Sequence, residues 1–198
     1  MSREKTADEH VELAIVGELT DNESQITEKL LEVPPGGECT IYFNSPGGSP
    51  YSGLSLMSLI MLRELQVTAV VTGECSSAAL WPFAACTQRL VTPFCFLLFH
   101  PMKWQSDEQV LMTEAVEWAR HFGQLEGDMD RLLAELLGIS VKKIEQWMRP
   151  GRYVSAHELV EAGLAEMIEF GEAEATSNGS RRTSSTSTRR RKPMRVGR

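Results

Sequence analysis

Along the N-terminal half, apolar and polar positions alternate in short blocks that predict buried strands joined by helices. Val11 to Val16 (VELAIV) alternates loosely and reads as a strand. Asp21 to Leu31 keeps Ile26, Leu30 and Leu31 to one side at helical spacing. Pro34-Pro35-Gly36-Gly37 interrupts the chain before Cys39 to Phe43 (CTIYF), a short β-rich run. Asn44-Ser45-Pro46-Gly47-Gly48 closes that run in a turn that needs unusual backbone angles. Tyr51 to Leu65 reads as an apolar helix, and Val67 to Thr72 (VTAVVT) as a second buried strand closed by Gly73. Ser77 to Ala85 reads as a small apolar helix despite Pro82, and Phe94 to Phe99 as a third buried strand closed by His100-Pro101.

The strands are continuous apolar runs separated by helices, the pattern of an α/β protein whose sheet is covered on both faces. Farther on, Ser106 to Leu137 is a long helical stretch and Ile139 to Trp147 another helix. Ser155-Ala156-His157-Glu158 is a capping box opening a last short helix to Ala162. Past Gly171 the chain turns to Ser, Thr and Arg with almost no apolar residues. Such a segment buries too little surface to offset its ordering entropy, so residues 1–170 are expected to form one domain and 171–198 a disordered basic tail.

Charge sharpens that division. The net charge is −7, yet Ser177 to Arg198 holds seven Arg, one Lys and no acid; removing this +8 leaves −15 on the remainder. An acidic body speaks against nucleic-acid binding. No apolar run is long enough to span a bilayer, and the polar N-terminus lacks the features of a signal or transit peptide, so a cytoplasmic protein is expected. The four cysteines, Cys39, Cys75, Cys86 and Cys95, form no C-x-x-C pair and read as packed, reduced thiols, with no metal site.

Three features fall at strand ends, where α/β folds place their sites. In Ser45-Pro46-Gly47-Gly48, paired glycines allow backbone N–H groups to face a cleft, as an oxyanion hole requires; the segment also reads as a plain strand-to-helix turn. In Gly73-Glu74-Cys75-Ser76-Ser77-Ala78-Ala79 a serine opens a helix, where its hydroxyl is exposed, although taken alone the segment reads first as an N-cap at Ser76 or Ser77. His100 ends an apolar strand and matters chemically if it reaches the serine, because a hydroxyl needs a base to become a useful nucleophile.

Taken together, Tyr42-Phe43-Asn44-Ser45-Pro46-Gly47-Gly48, Gly73-x-x-x-Ser77-Ala78-Ala79, Phe99-His100-Pro101 and Tyr153-Val154-Ser155-Ala156-x-Glu158 through Glu161-Ala162-Gly163-Leu164 resemble the proteolytic subunit of the Clp protease, from about Leu13 to Ile168. The resemblance implies a crotonase-like α/β superhelix of repeated strand-strand-helix units, with Ser106 to Leu137 as a protruding handle. It implies Ser77 as nucleophile, His100 as general base, and the N–H groups of Gly48 and Ala78 as the oxyanion hole. It further implies an ATP-dependent serine endopeptidase without cofactor, assembled in stacked heptameric rings as a homo- or hetero-oligomer, acting on polypeptides delivered by a hexameric Clp-type ATPase.

The sequence departs from the family where the triad acid is expected. That position, two residues before Tyr153, is Gly151, and Pro150-Gly151-Arg152 offers no carboxylate. A triad acid holds the histidine tautomer and stabilises the imidazolium, so its loss is costly. Glu145 and Asp107 are the nearby substitutes, both also readable as solvated surface charges. A Ser77–His100 dyad and a catalytically silent ring subunit therefore stand side by side. A related acyl-CoA enzyme of the crotonase type is a third reading, since paired backbone donors also stabilise enolates. The family commonly has Gln between the histidine and the proline, whereas Pro101 follows His100 directly; the segment before Leu13 is short, and the basic tail lies outside the pattern.

Overall fold

The computed structural model describes residues 10–103 and 109–170. The expected basic tail, Asp107 and the start of the long helical stretch lie outside them.

The pattern of apolar blocks becomes a parallel sheet. Strands β1 (Val11–Val16), β2 (Glu38–Ser45), β3 (Gln66–Cys75), β4 (Gln88–Val91) and β7 (Glu166–Met167) lie side by side in the order β1-β2-β3-β4-β7, every pair parallel. Helices α1 (Leu19–Glu32) and α2 (Pro50–Leu62) make the first two crossovers. Ile26 and Leu30 on α1 and Leu56, Met57 and Ile60 on α2 are buried, whereas Leu31, expected on the same side as Leu30, is exposed. Phe43 on β2 meets Phe83 edge-on, with ring centroids 5.9 Å apart, at the centre of the core.

β3 is the element that creates the site. It pairs with β2 in regular register up to Phe43↔Val71, and the register then shifts so that Ser45 faces Cys75. Beyond that irregularity Glu74 pairs with Phe96 of β5 (Phe96–Phe99), which belongs to a second, smaller sheet with β6 (Arg152–Ser155) antiparallel to it. The strand therefore does not stop at Gly73, as the apolar run suggested, but bends through it. The Asn44 side chain accepts from the Glu74 N–H at 3.3 Å, bridging the bend.

Other boundaries moved for local reasons. No helix begins at Ser77: its φ of +53° is left-handed, so the chain makes a single 3-10 turn over Ser77–Ala79 before α3 (Leu80–Ala84). α2 ends at Leu62 rather than Leu65, because Glu64 also turns left-handed, with φ +53°, and leads into β3. β4, β6 and β7 were not predicted; they are short and polar, and are strands because each has a neighbour to pair with.

The long helix α4 (Met112–Leu137) buries only Met129, Asp130, Leu133, Ala134 and Leu137, all in its C-terminal half, so α4 forms a handle rooted by that half, with its N-terminal half largely exposed. α5 (Val141–Met148) returns to the body and places Ile144, Trp147 and Met148 in the core. Ser155 caps α6 (Ala156–Glu161) through the expected capping box. Among the described residues no helix is long and apolar enough to cross a membrane, and no group of His, Cys, Asp and Glu is arranged to hold a metal ion.

Candidate active site

The bend in β3 and the turn after β2 meet at one point. The Ser76 N–H donates to the Ser45 carbonyl at 3.0 Å, tying the two segments together. Ser45 is fully buried; its hydroxyl donates to the Gly17 carbonyl at 2.6 Å and accepts from the Gly47 N–H at 3.1 Å. Gly47 then lies directly on the serine turn. A Cβ at residue 47 would sit 2.7 Å from the Ser76 carbonyl oxygen, 2.7 Å from the Ser77 Cβ and 2.8 Å from the Ala78 nitrogen. With φ +100° at Gly47 and +141° at Gly48, glycine is required both for the space and for the backbone path. From the other side Gly53 of α2 presses on the Ala78 carbonyl.

Neither serine acts as an N-cap through its side chain. Ser76 is buried and its hydroxyl accepts from the Leu98 N–H of β5 at 3.1 Å. Ser77 is half-buried, and its left-handed backbone turns the residue out of the strand toward a cleft. That cleft, of about 190 Å³, is lined by Gly48, Ser77, Ala78 and His100, with Trp81, Met102, Met129 and Met148 as apolar walls and Lys103, Glu126 and Asp130 as charged ones. The structure thus brings together all four residues singled out in the sequence. Ser77 and His100 face the same space without a direct hydrogen bond. Such contacts are often long before substrate binds.

No carboxylate touches His100 among the described residues. Its Nδ1 lies 2.7 Å from the carbonyl oxygen of Pro101, and because a carbonyl only accepts, Nδ1 is the donor; in the neutral ring Nε2 then keeps its lone pair. Gly151 does lie against the histidine: a Cβ there would be 3.3 Å from the His100 Cβ. Its φ of +122°, however, is a path that side-chain-bearing residues rarely adopt. Glu145 is exposed and lines a different groove, with Arg131 and Arg149.

The acidic wall comes from α4. Arg149, just before Gly151, reaches Glu126 and Asp130, each at 3.2 Å. Glu126 also accepts from the Met102 N–H at 2.8 Å, two residues beyond His100. Asp130 is buried, and burial raises its carboxyl above the ordinary range, with the Arg149 hydrogen bond and charge opposing the rise. Trp81 donates to the Met129 carbonyl at 3.4 Å, a further tie from α3 to the handle. The sequence reading missed Glu126, Asp130 and Arg149. The first two share a helix face at i, i+4 spacing within a stretch that is acidic and exposed elsewhere, so only the fold distinguishes them.

A parallel sheet with a bent third strand, a second sheet at its end, and a cleft beside α4 define a mixed α/β protein with a parallel-rich sheet. The family model for Clp protease matches residues 5–171, and the chain belongs to that family. It is similar to the ATP-dependent Clp protease proteolytic subunit of Ostreococcus tauri, with 29% identity over 133 residues, and to ATP-dependent Clp protease proteolytic subunit 3 of Synechococcus sp. (strain CC9605), with 30% identity over 129 residues. Each alignment covers 64% of this chain and 64% of the relative, so the match spans just under two thirds of the curated relatives' length.

Proposed function

We propose that this chain is a serine endopeptidase subunit, with residues 1–170 as its body, Ser77 as nucleophile, His100 as general base, and the N–H groups of Gly48 and Ala78 as the oxyanion hole. The observation that carries this reading is the left-handed Ser77 in a cleft shared with a histidine whose proton is held on Nδ1. Ser77 Oγ attacks the peptide carbonyl carbon as His100 Nε2 takes the hydroxyl proton. Negative charge on the carbonyl oxygen is met by the two backbone donors, preorganised by the contact of Gly47 with the serine turn. Collapse breaks the C–N bond, His100 returns the proton to the leaving amine, and an ester on Ser77 remains. Water, deprotonated by His100, then cleaves the ester and regenerates both groups.

In the names of its relatives the activity is ATP-dependent. Within this proposal the subunit assembles into stacked heptameric rings, as a homo- or hetero-oligomer, and receives unfolded polypeptides from a hexameric Clp-type ATPase. The free cysteines Cys39, Cys75, Cys86 and Cys95 suit a reducing compartment such as the cytoplasm.

A second reading, a catalytically silent ring subunit, draws on the missing carboxylate at Gly151. One experiment separates them: covalent labelling of the assembled protein by a fluorophosphonate, read by intact mass, with Ser77→Ala as control. One adduct on the wild type and none on Ser77→Ala is the expected result. An assembled ring that takes no label overturns the peptidase reading and leaves the silent subunit.

A further inference from the structure

We propose that Glu126 replaces the missing triad acid at one remove, acting on His100 through the Pro101–Met102 peptide. The proposal deepens the peptidase reading and rests on it for its kinetic part. Two hydrogen bonds meet on this single peptide unit. Its carbonyl accepts from His100 Nδ1–H at 2.7 Å, and its N–H donates to Glu126 Oε1 at 2.8 Å. The peptide C–N bond is conjugated, so charge on one end is felt at the other. A carboxylate drawing on the N–H moves electron density toward the carbonyl oxygen and makes it a stronger acceptor for the histidine proton. Chains of hydrogen bonds polarise one another in this way, most strongly where water is partly excluded.

The carboxylate is built into the cleft. The Glu126 side chain is 25% exposed, it lines the cleft with His100, and its second oxygen is fixed by Arg149. Arg149 is in turn held by buried Asp130, one helical turn farther along α4. The arrangement does what a triad acid does in two respects. It holds the proton on Nδ1, keeping Nε2 free to act as base, and it places negative charge on the side of the ring where the imidazolium develops. It also accounts for the tolerance of glycine at residue 151: the backbone there passes beside His100, and the charge arrives from α4 instead. Glu126 is on this view a positioning residue, touching neither substrate nor the reacting atoms.

The test uses the assembled full chain with 15N-labelled histidine. The tautomer of His100 is read from its ring 15N shifts, assigned with His100→Gln, and the fluorophosphonate labelling rate is measured alongside. In the wild type the ring should be Nδ1–H. Glu126→Ala should mix the tautomers and slow labelling by about tenfold. Glu126→Gln keeps an acceptor for the Met102 N–H but not the charge. It should preserve the tautomer and slow labelling by only about threefold. Glu117→Ala removes an exposed carboxylate of the same helix, one that pairs with Arg120, and serves as the control for charge on α4; it should leave the tautomer and the labelling rate as in the wild type. An unchanged tautomer and rate in Glu126→Ala overturns the proposal, as does a Glu117→Ala variant that disturbs the ring as much as Glu126→Ala. If the wild type takes no label, the peptidase reading fails by itself, and the 15N shifts still decide whether Glu126 holds the His100 ring.

Discussion

On the Ser77 side of the cleft, backbone lies directly against backbone. Gly47 touches Ser76, Ser77 and Ala78, Gly53 touches Ala78 from below, and a buried Ser45 hydroxyl closes the turn. On the His100 side the close contacts are carried by long side chains from another element: Glu126 holds the Met102 N–H, and Arg149 is shared between Glu126 and Asp130. The first side has no slack, because a close-packed backbone leaves no room for an added methyl group. The second is adjustable, since each link is a hydrogen bond or ion pair to a partly exposed group; Arg149 is 47% exposed, where water screens much of its attraction. The proposed peptidase reaction, with fixed oxyanion donors and a base that changes charge, is served by that division.

The comparison breaks most sharply at Gly47. Gly47→Ala combines a contact of 2.7 Å with φ +100°, and should destabilise the protein by about 3 kcal/mol and reduce labelling of Ser77 at least about tenfold. Denaturant melts and labelling rates check it; a variant as stable and reactive as the wild type would mean that the two turns are not in rigid contact.

Gly151→Asp tests the other side. The family's acid is restored in sequence, but at φ +122° it should cost about 2 kcal/mol and leave the labelling rate no higher. A faster rate would show that the loop relaxes and accepts an acid beside His100.

Smaller effects follow farther out on the His100 side. β6 pairs with β5, which ends at Phe99 just before His100, and Ser155, the last residue of β6, caps α6 by accepting from the Glu158 N–H at 3.3 Å. Ser155→Ala should lower stability by about 1 kcal/mol with little change in labelling, as read by the same melts.

The smallest effect concerns pH. Burial, the largest influence on Asp130, raises its carboxyl, so the folded protein binds this proton more tightly than the unfolded chain does. The group's contribution is therefore most favourable below the ordinary carboxylate value and declines as pH rises through the raised folded value. Asp130→Asn should remove that decline from a series of thermal melts across the acid range. A profile identical to that of the wild type would contradict it.

The same division separates what was legible in the sequence from what was not. Ser77, Gly47 and Gly48 sit in short contiguous motifs at strand ends, because a backbone-built site writes its demands into local residue types: glycine where a Cβ would collide, serine where the strand turns. Gly151 was legible too, as a departure. Glu126, Asp130 and Arg149 carry no such mark. An acid on a helix surface looks the same whether it faces water or a cleft, and Ser77 to Ala85 read as one helix because a left-handed serine has no signature in apolar spacing.

The sequence by itself determined the order of buried strands and helices, the α/β class and the residues of the serine turn, since burial periodicity and glycine sterics act over a few neighbouring positions. Only the tertiary structure decided how β3 bends to join two sheets, which short polar segments become strands, and which side chain of the handle reaches the peptide beside His100. Those outcomes depend on partners that are distant in the chain, and pairing and charge acquire their strength only when folding brings such partners together and removes the water between them.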